Sequence, residues 1–143
     1  LPGLDPSLTV AVPPVNARLL VAVAAGGMAG SLGRYAVSLA LPHGPAAFPW
    51  STLMVNLSGA FGIGLLVGYL VDRPGAHPFV RPVLGVGVLG GWTTFSALAI
   101  DAIRLAEGSA ITALLGYLAA TFLLGTLAVA AGTRAAQRLW PGP

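Results

Sequence analysis

The chain has 143 residues, 56% of them hydrophobic and 8% charged, with seven arginines, no lysine, four acids and a formal net charge of +3. A soluble domain carries about a quarter charged residues, so this chain cannot cover a water-facing surface, and its mean hydropathy of +0.86 places it in a membrane. Zero cysteines exclude disulfides and thiolate chemistry. Two histidines without acidic sequence neighbours (His43, His77) argue against zinc, and arginines without a basic run argue against a nucleic-acid partner.

In chain order, residues 1–17 carry Pro2, Pro6, Pro13 and Pro14 and read as a flexible leader. Four apolar stretches follow, Leu19–Leu41, Leu53–Val71, Val83–Ile100 and Ile111–Gly132, each close to the roughly 20 residues that a helix needs to cross a bilayer. The expectation is an all-α, multi-pass protein of the cell membrane with one domain over residues 18–138. Its helices fall at about 19–41, 53–71, 83–103 and 111–132, before a tail at 139–143. Ala22-Val23-Ala24 has the small residues of a signal-peptidase site, but the apolar core starts only at Leu19, so the first span reads as a retained helix. Arg18, Arg73, Arg81, Arg134 and Arg138 fall on the side of the termini, against Arg104 and Arg34, which favours cytoplasmic termini.

Within the spans, Gly26/Gly30, Gly64/Gly68 and Gly87/Gly91 are small pairs that predict close helix packing. Gly85-x-Gly87-x-x-Gly90 matches a dinucleotide fingerprint only as text, since that motif needs a strand and a soluble βαβ unit. Asn56-Leu57-Ser58 is a glycosylation sequon inside a span, beyond a glycosyltransferase's reach. Arg34 is the charge inside a predicted span: it either snorkels to the helix end or draws anions into an aqueous vestibule. Asn56 is interhelical glue or a pore-lining donor. On the fourth span Tyr117 and Thr121 share a face, while Thr126 and other hydroxyls ordinarily bond back to their own carbonyls. Gly90-Gly91-Trp92-Thr93-Thr94-Phe95-Ser96 is a poor helix, two glycines alone costing about 2 kcal/mol. It predicts either a kink or a break that frees carbonyls and amides for ions.

These strings carry a family resemblance. Gly26-Gly27-x-x-Gly30-x-x-x-Arg34-Tyr35, Pro49-Trp50-Ser51-Thr52-Leu53-x-Val55-Asn56-x-x-Gly59-x-Phe61 and Gly87-x-x-Gly90-Gly91-x-Thr93-Thr94-Phe95-Ser96 resemble the Fluc/CrcB fluoride channels from about Arg18 to Gly132. The resemblance implies a passive fluoride channel that rids the cell of fluoride, built as an antiparallel dimer with a broken third helix. It also implies a structural sodium ion held by the main-chain carbonyls of Gly90 and Thr93 at the dimer centre. By motif position it puts Asn56, Phe95, Ser96, Tyr117 and Thr121 on the fluoride pathway, with Arg34 as the first-span arginine.

The chain departs from the family pattern where a second aromatic is expected and Leu98 stands instead. A leucine has no positive ring edge to offer fluoride, which leaves open a homodimer or a pairing with an unlike homologous subunit. The expected partners are therefore fluoride, lipid and a second subunit. The alternative, a four-helix multidrug-type transporter, needs a membrane-embedded carboxylate, and the four apolar stretches hold none. An enzyme would need a nucleophile–base pair, a metal cluster or a buried acid, and none is expected.

Overall fold

In the computed structural model, which describes residues 16–71, 73 and 75–141, every regular element is helical. The leader expected at residues 1–17 thus falls, but for its last two residues, outside the described residues. The elements are α1 (Ala17–Ala40), α2 (Trp50–Val71), a π-helix (Arg81–Leu89), α3 (Gly90–Trp92), α4 (Phe95–Glu107) and α5 (Ile111–Leu139). Four stretches are long and apolar enough to cross a membrane, the third running from Arg81 to Glu107.

Helix ends differ from the hydropathy reading for identifiable reasons. Asn16 starts α1 by accepting the Leu19 N–H at 2.8 Å, which satisfies a donor the first turn cannot use. α2 begins at Trp50, three residues early, because Ser51 and Thr52 are polar but buried. The third stretch continues past Ile100 through Asp101, Arg104 and Glu107. α5 extends beyond Gly132 to Leu139, with Arg138 in its last turn, where a cation complements the helix dipole. The tail expected at 139–143 therefore begins one residue late.

Close packing fixes the frame. α2 and α5 form the most extensive helix pair, and α1 lies against the π-helix and α3. A Cβ on Gly64 would overlap the Val129 carbonyl, and one on Gly132 the Phe61 carbonyl, so the α2–α5 contact is reciprocal. On the other pair, a Cβ on Gly26 would sit 2.9 Å from the Val83 oxygen and one on Gly87 2.7 Å from the Val23 oxygen. Backbone-to-backbone approach of this kind is what small residues permit in membranes. Leu53, Leu98, Leu105 and Tyr117 form a buried cluster joining α2, α4 and α5.

The α4–α5 turn closes with Ser109 N–H to the Ala106 oxygen (3.1 Å) and Ala110 N–H to the Leu105 oxygen (2.9 Å), a Schellman pattern. Ser109 occupies its left-handed position at φ 56°, which disfavours a residue with a Cβ. Ser109→Gly is accordingly expected to stabilise the fold by about 1 kcal/mol, read as a rise in the thermal unfolding midpoint in detergent. A lower midpoint would mean that the serine side chain holds the turn.

Candidate functional site

Helical geometry stops after Trp92. Thr93 has ψ 159° and Thr94 has φ −151°, ψ 123°, both extended, and the helix resumes at Phe95. The side chain of Asn56 on α2 spans this gap: its Oδ1 accepts the Thr94 N–H at 2.8 Å and its Nδ2 donates to the Thr94 carbonyl at 3.0 Å. One Nδ2 hydrogen is left over. The Thr94 hydroxyl in turn accepts the Ala97 N–H at 3.1 Å and caps α4. Both devices divert donors from the helical ladder. The natural i+4 donor of the Gly90 carbonyl is the Thr94 N–H, taken by Asn56; that of the Thr93 carbonyl is the Ala97 N–H, taken by Thr94.

Arg34 does not run to the end of α1. Its Nε donates to the Gly91 carbonyl at 3.1 Å, with the Ser31 hydroxyl near the same oxygen at 3.5 Å. The guanidinium thus holds a carbonyl at the helix end before the interruption, where the dipole is negative. It also lines a cavity of about 270 Å³, whose wall includes Ser31, Tyr35, Ser51, Thr52 and Thr94.

A group the sequence reading did not single out stands behind that wall. Asp101, expected outside the spans, lies within α4 with its side chain 7% exposed, which corrects the expectation that no carboxylate is embedded. It accepts from the Thr52 hydroxyl at 2.6 Å and lies 3.2 Å from His43 Nε2, while His43 Nδ1 is 3.3 Å from the Ser51 hydroxyl. The expectation of no buried acid and no serine–base pair is corrected by the same four residues. The ring is turned the opposite way from hydrolytic triads, where Nε2 faces the serine. His43 and Asp101 are 58 residues apart, so no spacing in a single sequence announces the pair.

The remaining residues divide by environment. Ser96 reaches the Thr94 hydroxyl at 3.2 Å, joining Asn56 around the interruption. Leu98 packs in the core against Tyr117. Phe95 is 77% exposed on the chain's surface. Thr126, Thr133 and Ser58 bond back to carbonyls of their own helices. The Tyr117 hydroxyl and Thr121 Oγ1 are buried without a hydrogen-bond partner among the described residues, one turn apart on α5. A buried donor left unsatisfied costs about 1–3 kcal/mol.

Residues 21–133 match the family described as CrcB-like protein, Camphor Resistance (CrcB). The chain is 41% identical over 126 residues to the fluoride-specific ion channel FluC 2 of Nocardia farcinica, covering 88% of this chain and 90% of that protein. It is 46% identical over 114 residues to the fluoride-specific ion channel FluC of Rhizobium meliloti, covering 79% and 91%. With FluC of Rhodospirillum centenum it shares 43% identity over 121 residues, covering 80% and 92%. With a family match over most of its length and relatives matched almost end to end, this multi-pass membrane protein belongs to the CrcB family.

Proposed function

We propose that the chain is a subunit of a fluoride-specific channel that exports fluoride passively. The carrying observation is the pair of unsatisfied buried hydroxyls, Tyr117 and Thr121, on one face of α5. Fluoride is small and strongly hydrated, so a selective path must exchange water for neutral donors, and a fixed full charge within it would trap the ion. The spare Asn56 hydrogen and the Ser96 hydroxyl supply further donors near Thr94. The names of the relatives support the same ion, and an ion channel performs no catalysis.

A dimer accounts for Phe95. A ring edge presented outward at the start of α4 completes a path only against a second subunit, and an antiparallel pair would bring two interruptions together at mid-membrane. Residues 93 and 94 lie at the midpoint of the stretch Arg81–Glu107, consistent with that depth. Sodium fits the same place: the Gly90 and Thr93 carbonyls, deprived of their helical donors, are hard oxygen ligands suited to it. Bound there, the ion would supply positive charge between the two interruptions. The embedded Asp101 removes the earlier ground for setting aside a proton-coupled exporter, and family membership takes its place.

Reconstituted protein is expected to release fluoride from liposomes without a pH gradient and to exclude chloride; equal flux of both ions would overturn the proposal. Tyr117→Phe and Thr121→Val each remove a donor at nearly constant volume and are expected to lower fluoride flux about tenfold, as the loss of one charge-assisted hydrogen bond. Leu98→Phe is expected to raise flux in a homodimer once folding is verified, since overpacking this buried site costs about 1–3 kcal/mol. If the channel is a pair of unlike subunits, the wild-type chain alone conducts poorly and co-expression with an aromatic-bearing homologue restores flux. Replacing sodium by N-methylglucamine is expected to lower the unfolding temperature, and Thr93→Ser to leave that dependence intact because a main-chain ligand survives the change.

A further inference from the structure

His43 comes from the α1–α2 connection, 20% exposed, and joins two groups of α2 and α4. An ionised Asp101 only accepts hydrogen bonds, so the nitrogen facing it, Nε2, carries a proton. In the neutral ring Nδ1 is then an acceptor, and the Ser51 hydroxyl must donate to it. Ser51 thereby turns its lone pairs, not its hydrogen, to the cavity it lines. Protonation of Nδ1 reverses this bond. The imidazolium donates to Ser51 Oγ, and the serine hydrogen becomes free for the cavity.

The charge changes in the same direction. Thr52 lines the cavity and donates to Asp101, so the carboxylate stands one hydrogen bond behind the wall. With His43 neutral its negative charge opposes an anion in the cavity; with His43 protonated the pair is net neutral. The charged and titratable groups around the pair are Arg34 and Tyr35 on α1, which line the cavity, Tyr117 on α5, which lies near Asp101, and Arg104 and Glu107 further along α4. α2 contributes the hydroxyls of Ser51 and Thr52.

We propose that His43 is a positioning residue whose protonation turns the Ser51 hydroxyl into a donor at the cavity wall and cancels the Asp101 charge, so that anion passage rises as pH falls. The proposal rests on the fluoride-channel reading of the same chain. It needs no proton transport: the proton binds at Nδ1 from the loop side and stays there while the anion passes.

The test is fluoride efflux from liposomes at equal pH inside and outside, stepped from about pH 8 to about pH 5.5, with protein-free vesicles correcting for hydrogen fluoride that crosses the bilayer unaided. Wild-type flux is expected to rise about three- to tenfold over that range, the size of a local potential change in a low-dielectric cavity. His43→Gln, which bonds but does not titrate here, is expected to flatten the profile, and Ser51→Ala to remove most of the rise. His77→Gln, at a histidine that accepts the Phe79 N–H away from the cavity, is expected to keep the wild-type profile. Folding of each variant is checked by gel filtration, and Ser51→Ala decides the matter if His43→Gln does not fold. A pH-independent wild-type flux, a wild-type profile in His43→Gln, or a full acid rise in Ser51→Ala overturns the proposal and leaves the channel reading standing. No fluoride flux at any pH, from this chain alone or reconstituted together with an aromatic-bearing homologue, overturns both.

Discussion

Backbone polarity in an apolar medium is the constraint on which the rest of this structure depends. A continuous helix satisfies its own N–H and C=O groups, and two consecutive extended residues, Thr93 and Thr94, break that self-sufficiency inside a stretch long and apolar enough to cross a membrane. The freed groups are met from three directions. Asn56 takes both main-chain groups of Thr94, Arg34 takes the Gly91 carbonyl, and the Thr94 side chain caps the helix that follows. Asparagine suits the first task because its amide presents one donor and one acceptor side by side, like a peptide group in a strand. Aspartate would lack the donor for the Thr94 carbonyl.

This division of labour explains why one helix carries glycines where another carries polar groups. Gly91 lies where a Cβ would collide with the Gly27 carbonyl, and Gly30 where it would collide with that of Val88. The close approach brings Arg34 within reach of Gly91. On the α2 side, a Cβ on Gly59 would collide with the Thr93 side chain, so Gly59 leaves the room that seats Thr93 one turn from Asn56. Packing and polarity are thus parts of one solution. The glycines set the distances at which a few side chains complete the main chain.

The four apolar stretches were legible in composition alone, because about 20 residues of low polarity have few other uses. What hydropathy could not show was where polar residues face inward. Ser51 and Thr52 lie just before the second apolar stretch and Asp101 just after the third, and each reads as solvent-facing until its partner is known. The partners are 49 and 58 residues distant, and a single chain holds no trace of that proximity. Asn56 shows the opposite case. Its position was legible, and its two readings, glue and donor, turn out not to compete, because the bonds to Thr94 consume one hydrogen of the amide and leave the other. For Tyr117 and Thr121 the shared face was visible in the spacing of four, but not that Thr121 would abstain from the back-bonding seen at Thr126.

The glycine contacts also set what kinds of motion the molecule can use. Where Gly64 meets Val129 and Gly132 meets Phe61, main chain rests on main chain, and no flexible side chain lies between to absorb a sliding displacement. Rocking of one half of a bundle against the other, the working stroke of alternating-access transporters, would have to part these surfaces and forfeit their dispersion contacts together. Hydroxyl rotors and exposed rings such as Phe95 can still turn, on picosecond to nanosecond scales, without disturbing any helix. A frame locked in this way favours local reorientation of side chains over a cycle of global states.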